Sequence, residues 1–221
     1  MTKKIAIGES AEMYLKSIGE LTVEQPLIPI STLATRLGIS AVSATEMVHR
    51  FEDMGFVEHK RYKGIRLTDE GKRRAMIVIR RHRLWERFLT DRLNLPWEEV
   101  HDLACRLEHA AGQSVTEALA TYLEEPAYCP HGNPIPNAEG EVKAKVGIQA
   151  DQLKQGEEGE VLRISPESRH VLANFAETGI KPGVRIRIKS VDEVDGLRTL
   201  EIKGKEYILG QRMTSHIVIS V

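Results

Sequence analysis

The stretch that decides the fold runs from residue 30 to residue 75: ISTLATRLGISAVSATEMVHRFEDMGFVEHKRYKGIRLTDEGKRRA. Leu33, Ala34 and Leu37 recur at helical spacing behind Ser31, which reads as a cap. Gly38-Ile39-Ser40 is a tight turn. Ser40 can cap the next helix, Ala41 to Met54, with an inner face of Val42, Thr45, Val48 and Phe51 or Met54. Gly55 stops that helix. Two short strands, Phe56 to His59 and Ile65 to Thr68, flank Lys63-Gly64, and Thr68 starts another helix. Short helix, Gly-containing turn, second helix and basic hairpin is the order of a helix-turn-helix with a wing. In that context the run His59-Lys60-Arg61-Tyr62-Lys63-Gly64-Ile65-Arg66 reads as an element that tracks phosphates or enters a minor groove, rather than a solvated hairpin tip.

Upstream, Ala11, Tyr14, Leu15, Ile18 and Leu21 give residues 9–24 one apolar helical face, before Pro26 and Pro29 break the chain. Downstream, an Arg-rich helix spans about 69–93, with Ala75, Ile79, Leu84, Phe88 and Leu89 as apolar positions. Pro96-Trp97-Glu98-Glu99 opens a helix reaching about Ala110, and Ser114 to Leu123 forms another. Amphipathic helices behind a DNA-binding head commonly build a dimer interface. Prolines and glycines crowd residues 126–150, which read as a linker. Beyond it lie short alternating segments: Gly159 to Ile164, Val184 to Ile188, Arg198 to Ile202, Glu206 to Leu209 and His216 to Ile219, with a short helix from Pro166 to Glu177. They indicate a small β-barrel. The fold class expected is mainly α with that barrel appended. Its parts are a winged helix-turn-helix over 1–74, a helical metal-binding and dimerisation domain over 75–125, a Pro-rich linker over 126–150 and the barrel over 151–221.

Composition narrows the function classes. The 221 residues are 41% hydrophobic and 29% charged, ordinary for a chain that builds a core. No apolar run approaches the ~20 residues of a membrane span, and the N-terminus lacks the pattern of a secretory signal. A cytoplasmic protein with no membrane partner is expected. A net charge of −1 does not announce nucleic-acid binding, so the basic wing carries that signal locally. Two cysteines are too few for a disulfide framework.

The chemistry lies in His82-x3-Glu86 on one helix and His101-x3-Cys105-x2-Glu108-His109 on the next. Residues three and four apart share a helix face. Imidazole, carboxylate and thiolate are common ligands of first-row divalent metals. Singly, His82 or His101 would be a surface histidine, Cys105 a buried apolar residue and Glu108 a solvated charge. The conjunction favours metal. Cys129 is expected not to be a ligand: Cys129 and His131 form a Cys-x-His pair, but two ligands alone make a poor site and nothing nearby is expected to supply a third.

The segments SAEMYLKSI (10–18), RRHRLWERFLTD (80–91), VHDLACRLEH (100–109) and CPHGNPIP (129–136) resemble the diphtheria-toxin-repressor family of iron- and manganese-dependent regulators. The resemblance is specific through about residue 140 and weaker beyond, where it implies a barrel of the SH3-like type. It implies that Met13, Cys105, Glu108 and His109 hold the metal that triggers DNA binding. It implies a second site at His82, Glu86 and His101. Glu167 and His170, three apart in SPESRHVLANF, match by spacing alone the family's acidic residue and later ligand in the last domain. The cofactor expected is Fe(II) or Mn(II), two sites per chain. The sulfurs of Met13 and Cys105 resemble the iron-responsive branch, and Co(II), Ni(II) and Zn(II) are expected to substitute in vitro.

The partners expected are operator DNA with an inverted repeat and a second copy of the chain. Ser40, Val42, Ser43, Thr45, Glu46 and Arg50 on the second helix, with Lys60, Arg61 and Lys63 on the wing, are the candidate DNA contacts. Glu46 stands where the family often has Gln, and Val42 where it often has Pro. A glutamate can accept from cytosine N4 but cannot make the bidentate amide contact to adenine. The expected function is a metal-dependent transcriptional regulator, a repressor by resemblance, of metal-homeostasis genes. The alternatives are a metal-independent winged-helix regulator and a metallohydrolase, the latter without an H-E-x-x-H and therefore not expected to be the answer.

Overall fold

The computed structural model describes residues 8–22, 25–165 and 167–220. The chain divides into two compact units, one of residues 1–82, 108–113 and 136–141, the other of residues 83–107, 114–135 and 142–221.

In the first unit, α1 (Glu9–Leu21) precedes α2 (Ile30–Leu37) and α3 (Ala41–Asp53). Strands β1 (Val57–Lys60) and β2 (Gly64–Leu67) pair antiparallel, with His59 opposite Ile65 and Lys60 opposite Gly64. This is the helix-turn-helix and wing that the quoted stretch predicts. Ser40 caps α3, its hydroxyl accepting from the Ser43 amide at 3.0 Å. Ser31 does not cap α2; Pro29 stands at the cap position, and no side-chain bond closes that end. The inner face of α3 is Ala44, Val48 and Phe51. Val42, expected inside, is exposed, because the 44–48–51 spacing turns residue 42 to the opposite side. Phe51 sits edge-on to Tyr14 and tilted against Phe56, in a core with Leu15, Ile18, Leu33 and Ile65. Removing a ring such as Phe51 would cost about 3–5 kcal/mol.

Residue 28 adds a rung to the wing: Ile28 and Ile65 exchange both backbone bonds at 2.9 Å. Gly64, at φ +119°, makes this possible, since a Cβ there would run into the Ile28 carbonyl oxygen. The expected ends of α1 at residues 23 and 24 lie outside the described residues, as does Pro166.

Helix α4 (Asp69–Asp91) begins behind Thr68, whose hydroxyl accepts from the Gly71 amide at 3.1 Å. The division between the units falls within it. In the second unit follow α5 (Val100–Leu107), shorter than expected because residues 97–99 form a turn, and α6 (Gln113–Tyr122), whose first residue belongs to the first unit. Then come β3 (Ile148–Gln149), β4 (Glu158–Ile164), α7 (Arg169–Thr178), β5 (Arg185–Asp192), β6 (Leu197–Ile202), β7 (Lys205–Gly210), α8 (Gln211–Thr214) and β8 (Ile217–Ile219).

The six strands form an antiparallel sheet in the order β3-β8-β4-β5-β6-β7. The described pairings do not join β3 to β7, so the structure gives a sheet rather than a closed barrel. Alternating residues of β5, Ile186 and Ile188, face a core shared with Val161, Leu172, Phe175 and Leu200.

The Pro-rich stretch expected to be a linker has two parts. Cys129 and residues 131–136 are buried, held by an isolated bridge between Tyr128 and Pro134. Residues 141–146 are exposed.

Candidate metal centre and DNA-binding face

Glu86 projects from α4 with its carboxylate fully buried. A buried carboxylate is costly unless something positive faces it. Around it stand Cys129, His131 and Glu167, each buried, each offering a ligand atom, all within 4.8 Å of one another. The His131 Nδ1 is 3.4 Å from Glu86 Oε1 and 3.9 Å from the Cys129 Sγ. The His131 Nε2 is 2.7 Å from the Trp97 carbonyl oxygen, to which it donates. That bond fixes the ring and leaves Nδ1 turned to the cluster, the outer support that metal-ligating histidines ordinarily have. Asn133 donates to the Glu167 carboxylate and, at 3.0 Å, to the Ile164 carbonyl. The turn that presents Cys129 and His131 depends on Gly132 at φ +83°; a Cβ there would strike the Leu162 carbonyl oxygen of β4.

His101 on α5 flanks the cluster. Its Nδ1 lies 3.3 Å from Glu86 Oε1 and 3.4 Å from Glu167 Oε2, and its Nε2 is 3.8 Å from the Cys105 Sγ.

Electrostatics agree with a place built for a cation. Burial works against charge on His131, but Glu86 and Glu167 hold its proton on, well above the ordinary imidazole range. Burial likewise works against charge on His101, but Cys105, Glu167 and Glu86 raise it. Burial, with Glu86 and Glu167, pushes the Cys129 thiol up to about 12. Burial and Glu86 work against the Glu167 carboxylate, yet His131 and His101 bring it down to about 2. Without a metal, protons on the imidazoles supply the positive charge. Two carboxylates, an imidazole and a sulfur suit Fe(II) or Mn(II), with the sulfur also admitting later ions.

In the first unit a second polar cluster surrounds Glu108. His82 Nδ1 is 2.6 Å from its Oε2, and Lys16 Nζ is 2.9 Å from its Oε1, all three side chains buried. Burial works against the Glu108 charge, but His82 and then Lys16 lower its pKa. His109 Nδ1 is 2.9 Å from Glu12 Oε2, and Arg81 donates to Glu12 at 2.7 Å. Met13 is half-exposed.

The structure thus brings together Glu86, His101 and Glu167 from the expected second site. Expected as a ligand, His170 is exposed on α7. The premise that set Cys129 aside is corrected: Glu86 and Glu167 are the further groups, the latter 38 residues away in sequence. The signal, a Cys-x-His pair in CPHGNPIP, was present; its partners were not adjacent in the chain.

The candidate DNA contacts are on one helix and the wing. Val42, Ser43, Glu46 and Arg50 on α3 are exposed, as are Lys60, Arg61 and Lys63. Ser40 spends its hydroxyl on the cap, and the Thr45 hydroxyl donates to the Ala41 carbonyl at 2.7 Å. Tyr62, at φ +63°, marks the exposed hairpin tip, with Arg61 over its ring.

A winged helix-turn-helix followed by helices whose side chains could hold a metal fits the class of metal-responsive DNA-binding proteins. The chain matches the iron dependent repressor N-terminal DNA binding domain over residues 6–65, the iron dependent repressor metal binding and dimerisation domain over 68–137, and the FeoA domain over 148–221. It is 32% identical over 207 residues to the diphtheria toxin repressor of Corynebacterium jeikeium, covering 92% of this chain and 82% of that protein. It is 31% identical over 227 residues to the iron-dependent repressor IdeR of Mycobacterium tuberculosis, covering 95% and 96%. Among solved structures, a manganese-dependent transcriptional repressor in complex with manganese superposes with a TM-score of 0.88 at 35% identity, covering 96% of this chain and 100% of that one. The chain belongs to the iron-dependent repressor family of the diphtheria toxin repressor.

Proposed function

We propose that this chain is a transcriptional repressor of metal-homeostasis genes, not an enzyme, that binds an inverted-repeat operator as a homodimer when Fe(II) or Mn(II) is bound. The observation that carries the metal reading is the buried quartet Glu86, Cys129, His131 and Glu167, with a ligand atom from each within 4.8 Å. A divalent ion there supplies the charge that lets two carboxylates and a thiolate stand together away from water. Trp97 and Asn133 orient His131 and Glu167 toward it. The second ion falls to Glu108 and His109, with Met13, as the resemblance implies.

The DNA contacts are Ser43, Glu46 and Arg50 on α3, with Lys60, Arg61 and Lys63 on phosphates. The six-stranded sheet, whose apolar side chains feed one core, is the part we read as SH3-like. Among the described residues no helix is long and apolar enough to cross a membrane. Cytoplasm is the compartment we assign, since it holds the DNA and keeps thiols such as Cys105 and Cys129 reduced. A ligand that favours one arrangement shifts the population toward it, and metal would raise DNA affinity in this way. Footprinting on the DNA upstream of the protein's own gene, with Mn(II), tests the dimeric mode: two symmetric half-sites are expected. Protection of a single unrepeated segment by a monomer would overturn it.

A further inference from the structure

We infer that His49, Glu52 and His59 form an additional metal site on the DNA-binding head, one that takes an imidazole-preferring divalent ion of the Zn(II) class and ties α3 to the wing. Each residue offers a ligand atom within 4.8 Å of the others. His49 and Glu52 are three apart on α3 and so share a face, with His49 Nδ1 and Glu52 Oε2 3.7 Å apart. That gap is too long for a hydrogen bond. It is close to the ~3.4 Å that separates two ligands held tetrahedrally at about 2.0–2.1 Å from one zinc. His59 comes from β1, its ring edge-on to His49 with centroids 5.7 Å apart and planes at 70°. Two imidazoles and one carboxylate leave a fourth position for water.

The donor set differs from that of the buried quartet. It has no thiolate and a single carboxylate, and two nitrogens dominate. Imidazole suits Zn(II), Ni(II) and Cu(II), whereas Mn(II) prefers oxygen donors. The ligands are at the surface, His49 and Glu52 exposed and His59 partly so, so an ion reaches them without opening a core. The consequence is geometric. His59 is paired with Ile65 in the hairpin, and Lys60, Arg61 and Lys63 follow it directly. An ion held by His49, Glu52 and His59 fixes the wing's basic residues against the helix that carries Ser43, Glu46 and Arg50. This goes beyond the Fe(II)- or Mn(II)-dependent reading and does not require it.

Equilibrium dialysis of the full-length protein against Zn(II), with bound metal counted per chain, tests the site. Wild type should hold one more Zn(II) than His59→Gln, and His49→Gln should lose the same one. Glu52→Gln should weaken that ion by at least about tenfold, since even lost supporting groups cost that much. Mn(II) stoichiometry, measured in parallel, should be the same in all four proteins, which also shows that the variants are folded. Equal Zn(II) counts in wild type and His59→Gln would overturn the inference. So would a Zn(II) loss in His59→Gln that His49→Gln does not share.

Discussion

Loading the buried quartet with metal should expel protons, and their number follows from the structure. The Cys129 thiol is pushed up to about 12 by burial and by Glu86 and Glu167, so at pH 7 it carries its proton. Against the effect of burial, the same two carboxylates hold the proton on His131. Ligation needs a thiolate and a neutral imidazole, so two protons leave when Cys129 and His131 bind. These two groups alone should make affinity at this site rise at least about 100-fold per pH unit around neutrality, and fall by the same factor as pH drops. Calorimetric titration with Mn(II) at several pH values, repeated in buffers of different ionisation enthalpy, reads both the slope and the proton count. Cys129→Ser removes one of the two protons, because a serine hydroxyl need not ionise. Its slope should be smaller than that of the wild type by about tenfold per pH unit. A flat pH profile in the wild type, or the same slope in both proteins, would refute the assignment of Cys129 and His131 as ligands.

Gly132→Ala should destabilise the protein by roughly 1–3 kcal/mol from the positive φ alone, and more from the approach to Leu162; thermal unfolding checks this, and an unchanged melting temperature would contradict it. Lys16→Met leaves the buried Glu108 without its ammonium partner at 2.9 Å, a loss of about 3–5 kcal/mol in the metal-free protein; urea unfolding should show it. Arg61→Ala and Lys63→Ala should each weaken DNA binding across sequences and lower the slope of log affinity against log salt by about one per lost phosphate contact. An unchanged salt slope would remove the wing from the interface.

Much of the head was legible in the sequence because its signals are local. A Ser cap, a Gly turn and a basic hairpin each act over a few residues, and the structure keeps them in the expected order. The face of α3 was less legible. Val42 and Val48 are both apolar, and only packing against Phe51 and Phe56 decides that Val48 goes inside.

The candidate metal centre was half legible. Glu86 and His101 advertise themselves by helical spacing. Cys129 and His131 sit in a Pro- and Gly-rich segment that reads as a tether, because its packing comes from elsewhere. Ile164 donates its amide to the His131 carbonyl at 2.9 Å, and Asn133 reaches Ile164 and Glu167. Such contacts join residues tens of positions apart, and no periodicity announces them. Five of the sheet's six strands were legible as alternating apolar positions, whereas β3 (Ile148–Gln149) lies in the stretch read as a linker, and its pairing with β8 is a property of the folded chain.

Fluorescence anisotropy on labelled DNA from the protein's own upstream region, titrated with protein in excess Mn(II) and then in excess chelator, tests the central claim most directly. Saturable binding that chelator abolishes and added Mn(II) restores is the result expected. Equal affinity in both conditions would contradict metal control of DNA binding.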